Sequence, residues 1–268
     1  MNIEVKKMSL KQYTKPYSNT YQLTEKDAQY PGSKQADLTK VLTLVLTTSD
    51  AHDQAVKQTL NADDYIINDQ QTWVITQNRM VIHQWPEISQ EIKISTYVIE
   101  ANRFFITRKF VVEADDIELM TLFFQFAAID FTSRKMVRLN YETLPELLDL
   151  NAEIKVNFSR LKVPENAQKA SEKDLDILPN DIDGNQHVNN LVYLRWAYNA
   201  IRERLSASGH ELTIVEVKFG NEVLWGHEPK LLNYQSKPNE FVQTDQIIYN
   251  KTLDKEACHI RMTWKKEK

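Results

Sequence analysis

The apolar stripe Leu191, Leu194, Tyr198, Ile201 and Leu205 advances by three, four, three and four residues, the spacing of one face of an amphipathic helix. Four short β-type segments follow it, at 212–219, 231–235, 241–249 and 257–264. Connections this short favour neighbouring antiparallel strands, so the helix must lay its stripe on one face of a single sheet. The first half has the same order. Residues 36–60 read as helical, with Leu38, Val41, Leu42 and Val45 at three- and four-residue spacing, and strand candidates follow at 73–76, 92–98, 104–112 and 119–129. Between the halves runs a polar stretch with Pro145 and Pro164 that reads as a linker. The expectation is an α+β chain of two consecutive modules: residues 1–145, a linker at 146–170, and residues 171–268.

Glycine scarcity narrows the chemistry. The five glycines, Gly32, Gly184, Gly209, Gly220 and Gly226, cannot be assembled into a dinucleotide fingerprint, a phosphate loop or a nucleophile elbow. A single cysteine, Cys258, excludes an intrachain disulfide framework and a multi-cysteine zinc site. Lys plus Arg number 33 against 37 Asp plus Glu, a net charge of −4, with both signs mixed along the chain, which argues against general nucleic-acid binding. The amino-terminal residues carry no signal or transit character, and the most apolar stretch, 119–129, is well short of the ~20 residues of a membrane span. A cytoplasmic protein without a membrane span is expected.

The densest cluster of reactive side chains is Asp181-Ile182-Asp183-Gly184-Asn185-Gln186-His187-Val188-Asn189-Asn190, just before the second helix. In extended backbone Asp183, Asn185 and His187 project to one side. An imidazole exchanges protons near neutral pH, a carboxylate orients it, and an amide holds a carbonyl oxygen or a water. The first-turn amides near Val188 to Asn190 add donors for developing negative charge, and Asn189 or Asn190 caps the helix. The same residue types also serve as a turn and an N-cap, and Asp181, Asp183 and His187 form a weaker metal-ligand set. Composition leaves these readings open.

The run from Asp181 to Asn190, with Tyr193 and Trp196 after it, closely resembles the signature of the acyl-ACP thioesterases, including the plant plastid enzymes and their bacterial relatives. Similar segments occur in the same order in the first half: Trp73-Val74-Ile75-Thr76 leading to Met80, Gln84-Trp85-Pro86, and Ala128-Ile129-Asp130-Phe131-Thr132-Ser133-Arg134-Lys135. The resemblance covers roughly residues 20 to 264. It implies a tandem hotdog, two modules each with a long helix wrapped by an antiparallel sheet, and hydrolysis of fatty acyl-ACP to free fatty acid and ACP in fatty acid biosynthesis. It needs no cofactor and no metal, and it is compatible with a homodimer.

Carried over residue by residue, the family's catalytic Asp, Asn and His fall on Asp183, Asn185 and His187, and a fourth member, a Glu, falls on Glu222, with Glu216 and Glu228 as nearby alternatives. The implied roles are Glu222 as general base or nucleophile, His187 as proton shuttle, Asn185 as holder of carbonyl or water, and Asp183 as orienter. The plant enzymes carry a Cys directly after this Glu; Val223 stands there, which excludes a thiol mechanism at that position. Alternation in 257–264 puts Cys258 with Ile260, Met262 and Trp264 on a core face and His259 on the other.

The corresponding stretch of the first module, 24–33, contains Asp27 but no Asn or His at the matching places, so that module is expected to lack the chemistry and to shape the acyl pocket, with 120–126 as candidate lining. The implied partner, acyl carrier protein, is acidic, so a basic patch is expected at Arg134, Lys135 and Arg138, or at Arg195, Arg202 and Arg204. Rival readings are an acyl-CoA thioesterase, a hotdog enoyl hydratase, which usually has Pro where Gln186 follows Asn185, and an acyl-binding sensor, which would need a basic helix-turn-helix segment that the sequence lacks.

Overall fold

The computed structural model describes residues 14–58, 66–139, 156–236 and 241–267. The chain is mixed α and β, dominated by antiparallel sheet. It divides into two compact units, residues 1–76 with 83–157, and residues 77–82 with 158–268. The expected module boundary at 145/146 and residues 59–65 lie outside the described residues.

In the first unit, β1 (Tyr17–Gln22), α1 (Leu38–Lys57), β2 (Gln71–Ile82), β3 (Glu91–Ala101), β4 (Phe105–Ala114) and β5 (Ile117–Asp130) follow in order. The sheet runs β1-β3-β4-β5-β2. Helix α1 starts where Asp37 accepts the amides of Thr39 and Lys40, at 2.8 and 3.2 Å, a side-chain cap for two otherwise orphaned donors. It buries Leu38, Val41, Leu42, Val45 and Val56, each worth roughly 1.5–3 kcal/mol relative to exposure, and packs on β1 and β3. The register aligns Ile94, Val112 and Met120 in one row of fully buried side chains. Most of the run 120–126 serves this core: Met120, Leu122 and Phe124 are buried, with Phe124 edge-on to Phe110 at 5.3 Å. Phe126 instead lines a cavity of about 50 Å³ with Trp73, Ile106, Asp50, Asp53 and Arg108.

The second unit contains the last six residues of β2, then β6 (Gln168–Asp174), α2 (Asn190–Asn199), α3 (Arg202–Ala207), β7 (His210–Phe219), β8 (Pro229–Gln235), β9 (Phe241–Asn250) and β10 (Lys255–Lys266). Residues 77–81 of β2 pair with β7, and the order continues β10-β9-β8-β6. Two expectations change here. The stripe read as one helix is two, because Ile201 leaves helical geometry (φ −129°) to bury its side chain, and its amide reaches back three residues to Tyr198 rather than four. The stretch read as linker through residue 170 already contains the start of β6. That strand is exposed at every position, an edge strand of Gln, Lys, Ser, Glu and Asp with Ala170 its lone apolar residue and no apolar face to register as alternation.

Among the described residues no helix is long and apolar enough to cross a membrane. Asn189 caps α2, accepting the Leu191 amide at 2.8 Å. Replacing it by Ala is expected to cost about 1 kcal/mol, measured by urea unfolding, with Asn189→Asp recovering most of the loss.

Candidate active site

The segment between Ile182 and Val188 is not extended. Ile182 and Val188 form an antiparallel bridge, the Asp183 amide donates to the His187 carbonyl at 2.9 Å, and the chain turns at Gly184 and Asn185. Asp183 Oδ1 accepts the Asn185 amide at 2.8 Å, an Asx turn, and Gln186 takes a left-handed conformation (φ 66°). Asp183 and His187 therefore meet across a turn rather than along a strand face. His187 Nδ1 lies 3.3 Å from Asp183 Oδ2, and His187 Nε2 lies 3.6 Å from Glu222 Oε1. The imidazole is 13% exposed, whereas the Glu222 side chain is 45% exposed. Asn185 sits exposed at the tip and joins the cluster through its backbone.

Glu222 is brought there by a backbone tie. The Val188 amide donates to the Val223 carbonyl at 2.8 Å, His187 and Leu224 form the next bridge, and the Val223 amide donates to the Tyr193 hydroxyl oxygen at 3.1 Å. Val223 is fully buried. Burial, with the carboxylates of Glu222 and Asp183 nearby, raises the Tyr193 hydroxyl above its ordinary range, so it stays a neutral hydrogen-bonding group. At Gly220 an added Cβ would stand 2.8 Å from the Glu256 carbonyl oxygen, so glycine lets the strand end approach β10 closely.

The alternatives to Glu222 are engaged elsewhere: Glu216 accepts the Ser159 hydroxyl at 2.7 Å, and Glu228 pairs with Lys251 at 3.3 Å. Asp181, 1% exposed, turns from His187 to Arg195 at 2.5 Å and to the Leu178 amide at 3.0 Å, which removes it from the ligand set with Asp183 and His187. The amides of Val188 and Asn189, expected as donors for developing charge, are spent on Val223 and on the Asp181 carbonyl. Cys258 is fully buried, which pushes its thiol up, out of reach of nucleophilic chemistry. His259, on the opposite face, is buried too, bonded to Asp245 at 2.8 Å beside Arg261.

The same framework recurs in the first unit. The bridge Ala28 to Ala36 stands for Ile182 to Val188, Gln35 to Glu87 for His187 to Leu224, and the Ala36 amide donates to the Pro86 carbonyl as Val188 does to Val223. By this correspondence Gln29, Gln35 and Trp85 occupy the places of Asp183, His187 and Glu222. Trp85 donates its indole N–H to the Ala36 carbonyl at 2.7 Å. Asp27 matches Asp181 rather than Asp183: it accepts the Thr24 amide as Asp181 accepts that of Leu178.

The family model for the acyl-ACP thioesterase N-terminal domain matches residues 14–147, and that for the acyl-ACP thioesterase C-terminal domain matches residues 164–266. The chain belongs to the acyl-ACP thioesterase family. It is 24% identical over 181 residues, 63% of this chain, to the oleoyl-acyl carrier protein thioesterase 2, chloroplastic, of Arabidopsis thaliana, and the match spans 49% of that protein's length. Crystallised acyl-ACP thioesterase from Bacteroides thetaiotaomicron is similar in fold, with a TM-score of 0.74 at 18% identity, covering 99% of this chain and 100% of that one. The 12:0-ACP thioesterase from Umbellularia californica gives 0.77 at 14% identity, over 94% of each chain.

The fold brings Asp183, His187 and Glu222 together, and Tyr193, which in the sequence has only its place in the family signature, joins them through Val223. The structural signal is that Tyr193 is buried on α2 one turn after the cap and faces Val223. Tyr193→Phe strands a buried amide, so a loss of about 1–3 kcal/mol in stability is expected, together with reduced turnover because Glu222 hangs on that tie. Paired urea melts and rate measurements check it; unchanged rates would detach Glu222 from the Tyr193 contact.

Proposed function

We propose that this family member hydrolyses fatty acyl-ACP to free fatty acid and ACP, as a step of fatty acid biosynthesis. The observation that carries the reading is the imidazole of His187 held between two carboxylates, one buried enough to orient it and one open to solvent. Asp183 holds Nδ1 and so directs Nε2 toward Glu222. Glu222 takes a proton from a water whose oxygen attacks the thioester carbonyl carbon. The C–S bond then breaks, Glu222 passes the proton to His187 Nε2, and His187 delivers it to the departing thiolate, which returns both groups to their starting state. Asn185, at the rim, offers its amide to the substrate carbonyl or the water.

The scaffold we infer is a tandem hotdog with modules at 1–145 and, counting all of β6 with the second, 168–268, joined by the stretch between them. The paired bridges, the paired caps on Asp37 and Asn189, and a long helix against antiparallel sheet in the first unit support it. Chemistry resides in the second module, since Gln29, Gln35 and Trp85 supply neither a proton acceptor of carboxylate strength nor an imidazole.

Purified enzyme given a set of acyl-ACPs of different lengths, and the matching acyl-CoAs, should release free acid preferentially from acyl-ACP. Glu222→Gln and His187→Ala should each lower kcat by roughly 10²–10⁴, while Asp183→Asn retains more. Near-normal turnover by Glu222→Gln would remove it as the base, and preference for acyl-CoA would reassign the substrate.

For docking the acidic carrier protein, Arg134, Lys135 and Arg138 are the better patch: all three are exposed just after β5. In the other candidate patch Arg195 and Arg202 are half-buried and Arg204 is exposed. Reversing the charge of Arg134 and Lys135 should raise KM for acyl-ACP roughly three- to tenfold while sparing a truncated acyl thioester; equal effects on both would eliminate the patch.

A further inference from the structure

The loop that carries Glu222 continues into a tight turn, Leu224 to His227, closed by the His227 amide on the Leu224 carbonyl at 3.1 Å and requiring Gly226 at φ 84°. On this turn Trp225 is 60% exposed. Trp225 borders a cavity of about 390 Å³, within the ~300–1,000 Å³ typical of small-molecule sites. Leu175 and Ile177 continue the apolar wall, and Asp174, Glu228 and Lys251 form the polar one. Beneath the turn, His227 Nδ1 accepts the Leu224 amide at 3.1 Å and meets Asn250 Nδ2 at 2.9 Å, so the loop is braced from below. The reactive pair is close along the chain: Glu222 lies three residues before Trp225, and the His187 backbone pairs with Leu224.

We infer that this cavity seats the neutral, amide-bearing pantetheine arm of the thioester donor, with Trp225 as the surface on which the arm lies. The inference rests on the thioesterase reading and assigns the thiol side of the substrate. A thioester has two arms leaving its carbonyl carbon, and the thiol-side arm carries two amides and ends in a phosphate. Charge decides which part of it belongs here. Lys251 is shared between Asp174 at 3.1 Å and Glu228 at 3.3 Å, and Asp176 adds a further carboxylate to the lining, so the wall is acidic on balance and repels phosphate. An uncharged chain with amide donors and acceptors meets no such penalty. It gains an aromatic face, for which a Trp exposed on a rigid turn has already lost little conformational freedom to yield. The phosphate then lies outside the cavity, toward the carrier protein.

The test compares one acyl group on two thiols, pantetheine and N-acetylcysteamine, the second lacking the distal half of the arm. In Trp225→Ala the ratio of kcat/KM for the pantetheine thioester over the N-acetylcysteamine thioester should fall roughly tenfold, carried by KM, and Trp225→Phe should restore most of it. A ratio unchanged in Trp225→Ala overturns the assignment. A KM change that follows acyl length instead of the thiol gives the cavity to the acyl chain and also overturns it. Titration of free pantetheine, read as intrinsic fluorescence quenching that Trp225→Phe abolishes, needs no hydrolysis. If no thioester is cleaved yet this quenching appears, the thioesterase reading fails and the pantetheine site stands; if thioesters are cleaved with no quenching, the site fails and the activity stands.

Discussion

The hydrogen bond from the Val188 amide to the Val223 carbonyl joins two loops that have no reason of their own to meet. One lies ahead of α2 and carries Asp183 and His187; the other follows β7 and carries Glu222. The bond is buried, where a backbone pair left unmade costs more than in water. Its neighbours repeat the constraint: Val223 donates to Tyr193, and His187 pairs with Leu224. Once these are made, a carboxylate from one loop and an imidazole from the other stand within 3.6 Å.

The first unit repeats the tie with different side chains around it. Ala36 and Pro86 make the same backbone bond, and Gln35 and Glu87 the same bridge, yet the positions corresponding to Asp183, His187 and Glu222 hold Gln29, Gln35 and Trp85. Trp85 uses its indole N–H to close the loop on the Ala36 carbonyl, a further structural bond where the second unit leaves a carboxylate exposed. A framework that survives the exchange of these three side chains is held by main-chain pairing and by caps.

Polar residues in the second unit separate by burial. Asp181, Asp245 and His259 are all 2% exposed or less and are each matched to a specific partner, so they organise the chain around them. Glu222, Asn185 and Trp225 are open to solvent on braced loops. Exposed groups on a rigid base are accessible to a ligand, and the turn at Gly226 keeps Trp225 in place at little entropic cost.

The amino-acid sequence by itself determined the long first helix, most strands, a cap at Asn189 or Asn190 and the dense polar cluster at 181–190, because period, capping chemistry and a polar motif are local properties. Strands β1 and β6 escaped that reading: β6 has no apolar face, since an edge strand is stabilised by pairing on one side and protected by charge on the other. The helix break at Ile201 was equally hidden, for the stripe keeps its spacing across it. Tertiary structure decided that Asp183 and His187 meet through an Asx turn, that Glu222 rather than Glu216 or Glu228 faces the imidazole, and that Asp181 belongs to Arg195. The physical reason is distance along the chain: thirty-five residues separate His187 from Glu222, and no local preference encodes which of three glutamates a remote backbone bond will place beside it.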